Sequence, residues 1–288
     1  MDRSYYPAFQ DLWKTDGNAE EFLREKLSGE TDAIYRERLD QEFDAIIQNQ
    51  CAIDLAALYM IHVAASSVGH LAAGSGILSG LLVSNRLGLS YIDPVEYGLD
   101  FKAFLKPDTG LNPLFTLLVS PEGRERIISF LKLRLGANRV AVDGDLLYLA
   151  NKSIRDIAPC DWGKDRTLTL EEPLPPFDDS GMLVIDLIAS DLIAELEKIA
   201  GSIDIKEMKV LFKYLRTIPL DDRATLNYLK SADGKKFLEK YVSPADRSNF
   251  LPLPLLANFV KPGSESDIGN AIAFAYLVWC LAFFNAHY

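Results

Sequence analysis

Apolar residues recur at helical spacing in several parts of the chain. In the segment from 33 to 47 they alternate with charged residues, which is typical of an amphipathic helix with one buried face. The segment from 53 to 67 is apolar almost all round, which favours a central buried helix. The pattern predicts helices over Glu20–Leu27, Ala33–Ile47, Ile53–Ser67 and Arg124–Leu135. Gly136 follows the last of these and is predicted to cap it.

Other segments have the pattern of strands. Val140–Leu149 is predicted to form a hairpin, because Asp143-Gly144 lies between apolar residues and is typical of a type I′ turn. Met182–Leu187 is predicted to be a short strand. A helix over Asp191–Ala200 should follow it, with Ser190 at its N-cap.

Glycine and proline interrupt these elements. Gly69–Gly80 is a glycine-rich passage, and Glu171–Asp179, with three prolines and four acids, is the best candidate for a linker. The rest of the chain, from Ile205 onward, is mostly helical in pattern. Its apolar run Ala271–Phe284 is shorter than the roughly 20 residues that span a bilayer. We interpret this run as a buried C-terminal helix or an oligomer contact, with membrane association as the less favoured alternative.

Composition narrows the functional classes. The net charge of −11 argues against tight binding of nucleic acid, which depends on clustered Lys and Arg. Three cysteines, none in a C-x-x-C pair, argue against a disulfide framework and a zinc site. The N-terminus does not have the pattern of a signal peptide. We therefore expect a cytoplasmic protein that does not associate with membranes.

One motif carries a family resemblance. Phe101-Lys-Ala-Phe-Leu-Lys-Pro-Asp-Thr-Gly-Leu-Asn-Pro113, with the five residues after it, resembles F-E-R-F-L-N-P-x-x-x-S-M-P-D-x-D-x-D-F of the bacterial DNA polymerase III α subunits, the C-family replicative polymerases. The frame aligns without a gap. Every aspartate position in it is replaced.

Further matches follow in the family's order. They are Tyr35–Ile46 (Y-x-E-R-L-x-x-E-L-x-V-I), Gly74–Gly80 (G-R-G-S-x-x-G), Leu87–Gly98 (L-x-I-T-x-I-D-P-L-x-Y-x), Arg124–Leu131 (R-x-E-V-I-x-Y-V), Met182–Leu187 (L-V-K-F-D-F) and Ile218–Asp222 (I-P-L-D-D). Each match alone is weak, but their order and spacing together favour homology from about residue 20 to residue 263.

The resemblance implies a fold. It implies an α+β protein with a nucleotidyltransferase-like polymerase palm, a mixed sheet with helices, followed by a mainly helical part of the fingers. The family's thumb is expected to be deleted. The palm would occupy residues 1–200, with residues 171–180 as a linker in place of the thumb. Residues 201–288 would form the helical remnant of the fingers and the C-terminal apolar helix.

The resemblance also implies site residues. The family's first metal-binding aspartates fall on Leu114, Thr116 and Leu118, and a later aspartate is retained as Asp186. Two Mg²⁺ ions need several carboxylates, which neutral side chains cannot replace. We therefore expect no cofactor, and Mg²⁺ only if some activity remains.

The glycine-rich loop is altered in a similar way. Gly74, Gly76 and Gly80 remain, but the arginine that in the family faces the triphosphate is Ser75 here. The glycines are explained best as a turn that needs close packing. A remnant of nucleotide binding is the alternative.

A rebuilt metal site is a further alternative. Asp143 and Asp145 form an Asp-x-Asp pair, and Asp186 lies on a later predicted strand. A turn explains Asp143-Gly144 more simply than a metal site does.

Three functions follow from these residues. The favoured hypothesis is a catalytically inactive relative of the polymerase with a binding or assembly role, linked to DNA replication or repair. The first alternative is a small Mg²⁺-dependent nucleotidyltransferase that uses the relocated carboxylates. The second is an oligomeric scaffold that self-associates, or binds a protein partner, through Ala271–Phe284.

Overall fold

The fold is α+β, with helices packed on a mixed sheet. The computed structural model describes residues 3–90, 93–95, 99–106, 112–171, 180–191, 193–194 and 197. Its α-helices are α1 (Phe9–Trp13), α2 (Ala19–Leu27), α3 (Ala33–Gln48), α4 (Ala52–Ser67), α5 (Leu82–Arg86), α6 (Phe101–Phe104) and α7 (Pro121–Leu135). Short 3₁₀ helices occupy Gly76–Gly80, Ala137–Arg139 and Ile154–Asp156. The predicted α+β class is confirmed.

The four predicted long helices are present. Local capping explains where three of them begin: Asn18 accepts a hydrogen bond from the Glu21 N–H before α2, Asp32 caps α3, and Ser120 caps α7. Helix α7 ends at Gly136, whose φ of +105° is readily adopted only by glycine. The cap predicted there is confirmed.

A seven-stranded sheet crosses the molecule. Its strands are β1 (Ala72–Ser75), β2 (Phe115–Val119), β3 (Val140–Asp143), β4 (Leu146–Leu149), β5 (Cys160–Trp162), β6 (Leu168–Leu170) and β7 (Leu183–Ala189). Their spatial order is β1-β2-β7-β4-β3-β6-β5. The pairs β2–β7 and β3–β6 are parallel and the others antiparallel.

The two faces of the sheet differ. Phe115, Leu117, Ile185 and Leu187 are buried in the large core that the helices share, and we term their side the helical face. The alternate residues of β2 and β7 are only partly buried. We term their side the open face, formed on these two strands by Thr116, Leu118, Val184, Asp186 and Ile188, with Leu114 just before β2. At Val184 this face meets a second, smaller core that includes Tyr148.

The predicted hairpin is confirmed, but its turn is not where the sequence placed it. Asp143 is the last residue of β3 and pairs with Leu146, so the two central residues of the turn are Gly144 and Asp145. Gly144 has a φ of +56°, whereas Asp145 has no positive φ. The prediction of a type I′ turn centred on Asp143-Gly144 is therefore wrong. A positive φ at the first central residue alone matches type II′.

The segment after Asp156 extends the sheet. Strands β5 and β6 pair with each other, and β6 adds to β3 at the edge of the sheet. Strand β7 confirms and lengthens the strand predicted from Met182, and Asp191, Ile193, Ala194 and Glu197 are helical, as expected. Most of the proposed linker and all of the proposed fingers remnant, 201–288, lie outside the described residues.

Within the described part of the chain, no helix combines the length and the apolar character needed to cross a membrane.

Candidate functional site

The retained aspartate lies in a row of side chains that crosses the sheet. Ser75 of β1 pairs with Thr116 of β2, Thr116 pairs with Asp186 of β7, and Asp186 pairs with Leu146 of β4. Directly opposed residues on neighbouring strands point to the same face of a sheet. The fold therefore brings together Ser75, Thr116 and Asp186, three positions that the sequence singled out from distant motifs.

Asp186 is held by its neighbour. The Thr116 hydroxyl donates a hydrogen bond of 3.0 Å to the Asp186 Oδ2 atom. Partial burial raises the pKa of Asp186, the hydrogen bond from Thr116 opposes that rise, and the nearby Asp145 carboxylate adds to it. A hydroxyl thus stands beside Asp186 at a position where the resemblance places a second carboxylate.

The side chains of this row do not fit two metal ions. Two Mg²⁺ ions about 3.5–4 Å apart need a set of anionic oxygen ligands. The row offers one carboxylate, and the hydroxyl next to it donates a hydrogen bond to that carboxylate. Leu114 and Leu118, at the other two family positions, flank the row with hydrocarbon. The arrangement can hold a hydrogen-bonded acid but not a bimetallic centre.

Asp143 and Asp145 have different relations to Asp186. Asp145 is near enough to influence the pKa of Asp186, and its carbonyl accepts a hydrogen bond of 2.8 Å from the Leu187 N–H. Asp143 pairs with Leu146, which in turn pairs with Asp186, so two strand spacings, or about 10 Å, separate the backbones of the two aspartates. Among the described residues, no three His, Cys, Asp or Glu side chains form a cluster that could hold a metal ion.

The glycine-rich passage is a strand followed by a 3₁₀ turn. Gly74 lies in β1, where an added Cβ would come within 2.8 Å of the Leu78 Cβ and of the Leu89 carbonyl oxygen. At Gly80 the added atom would lie 2.2 Å from the ring of Phe104. Gly76 has a φ of +60°. Close packing at Gly74 and Gly80 and the positive φ of Gly76 are thus structural reasons for glycine at these positions.

A buried carboxylate that the sequence reasoning missed fixes the end of this passage. Glu42 of α3 is fully buried and accepts hydrogen bonds of 2.9 Å from the N–H groups of Leu82 and Val83, at the start of α5. Arg38 donates to Glu42 and also to the Gly80 carbonyl oxygen. Burial raises the pKa of Glu42, and its hydrogen bonds oppose that rise.

The signal for this contact was present in the sequence. Arg38 and Glu42 match the arginine and the second glutamate of E-R-L-x-x-E, and their i, i+4 spacing places them on one side of a helix. No local sequence pattern indicated that Glu42 accepts hydrogen bonds from N–H groups about 40 residues further along the chain.

Arg124 joins the helical layer to the strands next to Asp186. Its Nε donates a hydrogen bond of 3.0 Å to the Leu187 carbonyl oxygen, and its Nη2 donates to that of Gly144. This arginine matches the first residue of R-x-E-V-I. It binds backbone oxygen atoms here and serves to fix the β3–β4 turn against β7.

Comparisons with known proteins identify the family of the sequence. A sequence model described as "Bacterial DNA polymerase III alpha NTPase domain" matches residues 15–163, just over half of the 288 residues. The DNA polymerase III subunit alpha of Thermus aquaticus is 35% identical over 86 residues, which are 30% of this chain and 7% of that subunit.

Two further relatives have the same name. The DNA polymerase III subunit alpha of Halalkalibacterium halodurans is 36% identical over 85 residues, which are 29% of this chain and 8% of that protein. That of Rickettsia bellii is 36% identical over 67 residues, which are 23% of this chain and 6% of that protein. The aligned part of the chain is thus less than a tenth of the length of each of these relatives.

Proposed function

The chain belongs to the family of the bacterial DNA polymerase III alpha NTPase domain, and from that premise we propose that it is a non-catalytic member. It keeps the palm fold and acts in binding or assembly in DNA replication or repair. The observation that carries the proposal is the Ser75–Thr116–Asp186 row, in which a threonine hydroxyl donates to the one remaining carboxylate.

The chemistry of polymerisation explains why this row matters. Phosphoryl transfer depends on positioned metal ions that bridge the phosphate oxygens and neutralise the charge that develops on them. A lone carboxylate whose pKa is raised by burial binds such ions weakly. The replacement of a phosphate-facing arginine by Ser75 also removes a positive charge at the neighbouring position of the row.

A primer-extension assay with the full chain tests the proposal. We expect no template-dependent incorporation with Mg²⁺ or Mn²⁺. Incorporation that follows the template and is abolished by Asp186→Ala would overturn the proposal. Incorporation that persists unchanged in Asp186→Ala would come from a contaminating polymerase and would leave it standing.

Nucleic-acid affinity provides a second test. Because the chain carries a net charge of −11, we expect a Kd for primed DNA of about 10⁻⁵ M or weaker at physiological salt. Fluorescence anisotropy with a labelled primer–template measures it. A Kd in the nanomolar range would contradict a role that is carried by protein contacts alone.

The alternative is a small nucleotidyltransferase with a relocated metal site. The nearness of Asp145 to Asp186 favours it, since neighbouring carboxylates supply the oxygen ligands that Mg²⁺ prefers. Isothermal titration of the full chain with Mn²⁺ and nucleoside triphosphates distinguishes the two functions. Heat that disappears in both Asp145→Asn and Asp186→Asn would favour the enzyme, and no heat above background favours the non-catalytic member.

A further inference from the structure

The open face carries an apolar patch that includes Leu118, a position where the family resemblance places a carboxylate. Leu118 of β2 and Ile188 of β7 pair directly, and both are partly exposed. Leu114, the residue before β2, is also partly exposed. Asp186, two residues before Ile188 on the same face of β7, already accepts a hydrogen bond from Thr116. The patch therefore suits an apolar, uncharged occupant better than a nucleic acid or a metal complex.

The chain leaves the sheet at the same end as this patch. The Ser190 N–H, just past β7, donates a hydrogen bond of 2.7 Å to the Val119 carbonyl oxygen at the end of β2. Glu197 then accepts a bond of 2.8 Å from the Leu71 N–H and lies 3.2 Å from the His70 ring nitrogen, beside the start of β1. Glu197, the last described residue, thus lies next to the strand ends that carry Leu118 and Ile188.

The remaining chain contains a segment of matching chemistry. Residues 271–284 include no charged side chain and are rich in aromatic and branched aliphatic residues. The 70 residues 201–270 connect this run to the palm. Even as a flexible coil, a connection of that length reaches about 45 Å, whereas seven strands span about 34 Å.

We propose that residues 271–284 pack on the open face of their own chain, over Leu118 and Ile188. An attached segment meets the patch at an effective concentration that a second molecule rarely reaches, which favours the intramolecular contact over a dimer. Leu118, at a former carboxylate position, and its partner Ile188 would then form a docking surface. The inference rests on the apolar face and the path of the chain, and it does not depend on the absence of catalysis.

The native cysteines allow a sharp test. Cys280 lies within the run, whereas Cys51 and Cys160 are buried, with exposures of 0% and 4%. A cysteine introduced on the patch by Leu118→Cys or, separately, by Ile188→Cys should therefore be able to pair with Cys280. Leu133→Cys is the matched control, because Leu133 lies on α7 and is 89% exposed, away from the sheet.

The full-length variants are oxidised in dilute solution and also treated with a short bismaleimide. Non-reducing electrophoresis and peptide mass spectrometry then identify the linked residues. We expect an intramolecular link from position 118 or 188 to Cys280, with a yield that does not change on dilution. The link should be absent in Leu133→Cys and should disappear when Cys280→Ser is added.

Two outcomes would overturn the proposal. Links from the patch to Cys280 of another molecule would identify a second copy as the occupant. No link to Cys280 from either patch position, in variants whose circular dichroism and melting temperature match those of the parent protein, would mean that the run does not lie on the open face.

Discussion

The two faces of the sheet are built from alternate residues of the same strands, yet they differ in character. On the helical face, Leu117 and Ile185 are buried in the core that the helices share. One residue further along each strand, Leu118 and Asp186 belong to the open face and are partly exposed. The residues that hold the fold together and the residues at the family's catalytic positions thus alternate along the chain. Catalytic positions can therefore change while the fold persists.

The largest expected effect comes from removing the buried carboxylate on the helical side. Glu42→Ala should lower the free energy of unfolding by about 4 kcal/mol, because it leaves the Arg38 charge and two buried N–H groups without their partner. Urea unfolding measures the change. Glu122→Ala is the control, since its pair with Arg126 is exposed on both sides and should contribute less than about 0.5 kcal/mol. Equal effects of the two variants would contradict the anchoring role of Glu42.

Neighbouring leucines test the difference between the faces directly. Leu117→Ala removes a fully buried side chain and should cost about 3 kcal/mol. Leu118→Ala, on the partly exposed face, should cost less than half as much as Leu117→Ala. The same unfolding experiment compares them, and a larger loss from Leu118→Ala would reverse the assignment of the two faces.

Close packing in the glycine passage predicts a smaller loss. Gly80→Ala places a methyl group 2.2 Å from the ring of Phe104, and the strain should cost about 2 kcal/mol. Gly29→Ala is the matched control, because no atom lies within 4 Å of the position of the added methyl group. It should leave the melting temperature unchanged or slightly raised. A Gly80→Ala protein as stable as the parent would argue against packing as the reason for this glycine.

The smallest effect concerns the open face and pH. The pKa of Asp186 is raised in the folded chain, so its protonated form favours folding below the unfolded value of about 3.9. That advantage is lost as the pH rises through the folded pKa. Asp186→Asn should therefore gain stability relative to the parent as the pH rises from about 4 towards neutrality, and the gain should be the smallest of these effects because Asp186 is partly exposed.

A second variant sharpens this pH test. Thr116→Val removes the hydrogen bond that opposes the rise in the pKa of Asp186, so the pH dependence should become larger. Thermal unfolding across the same pH range compares the three proteins. A pH dependence that is the same in all three proteins would show that the ionisation of Asp186 does not affect the stability of the fold in this range.

Local sequence patterns predicted the four long helices, but they did not predict the strands at the two edges of the sheet, β1, β5 and β6. The segment that forms α3 has an amphipathic pattern that is independent of the rest of the fold, so its ends were predicted to within one residue. Strand β1 was missed because Ala72–Ser75 is buried throughout and consists of small residues, which give no alternation. Strands β5 and β6 have three residues each, too few for a period to be recognised.

The site was predictable only as far as the family resemblance reached. Motif alignment named Thr116 and Asp186, but their contact joins residues 70 positions apart and depends on the register of β2 and β7. The placement of Ser75 in the same row depends likewise on β1, a strand that local patterning did not reveal. The turn at Gly144 was misplaced by one residue. The dipeptide Asp143-Gly144 can occupy the two central positions of a turn, or it can supply the last strand residue and the first central residue, as it does here.

Strand β7 has a consequence for the order in which the molecule can assemble. It lies between β2 and β4, so it is the piece that joins the pair β1–β2 to the group β4-β3-β6-β5. During synthesis the sheet must remain in two parts until residues 183–189 have left the ribosome. Pairings so distant along the chain form slowly, because the entropy of closing a long loop is lost before the contact forms. The strand that carries the last family aspartate is thus also the one that completes the sheet.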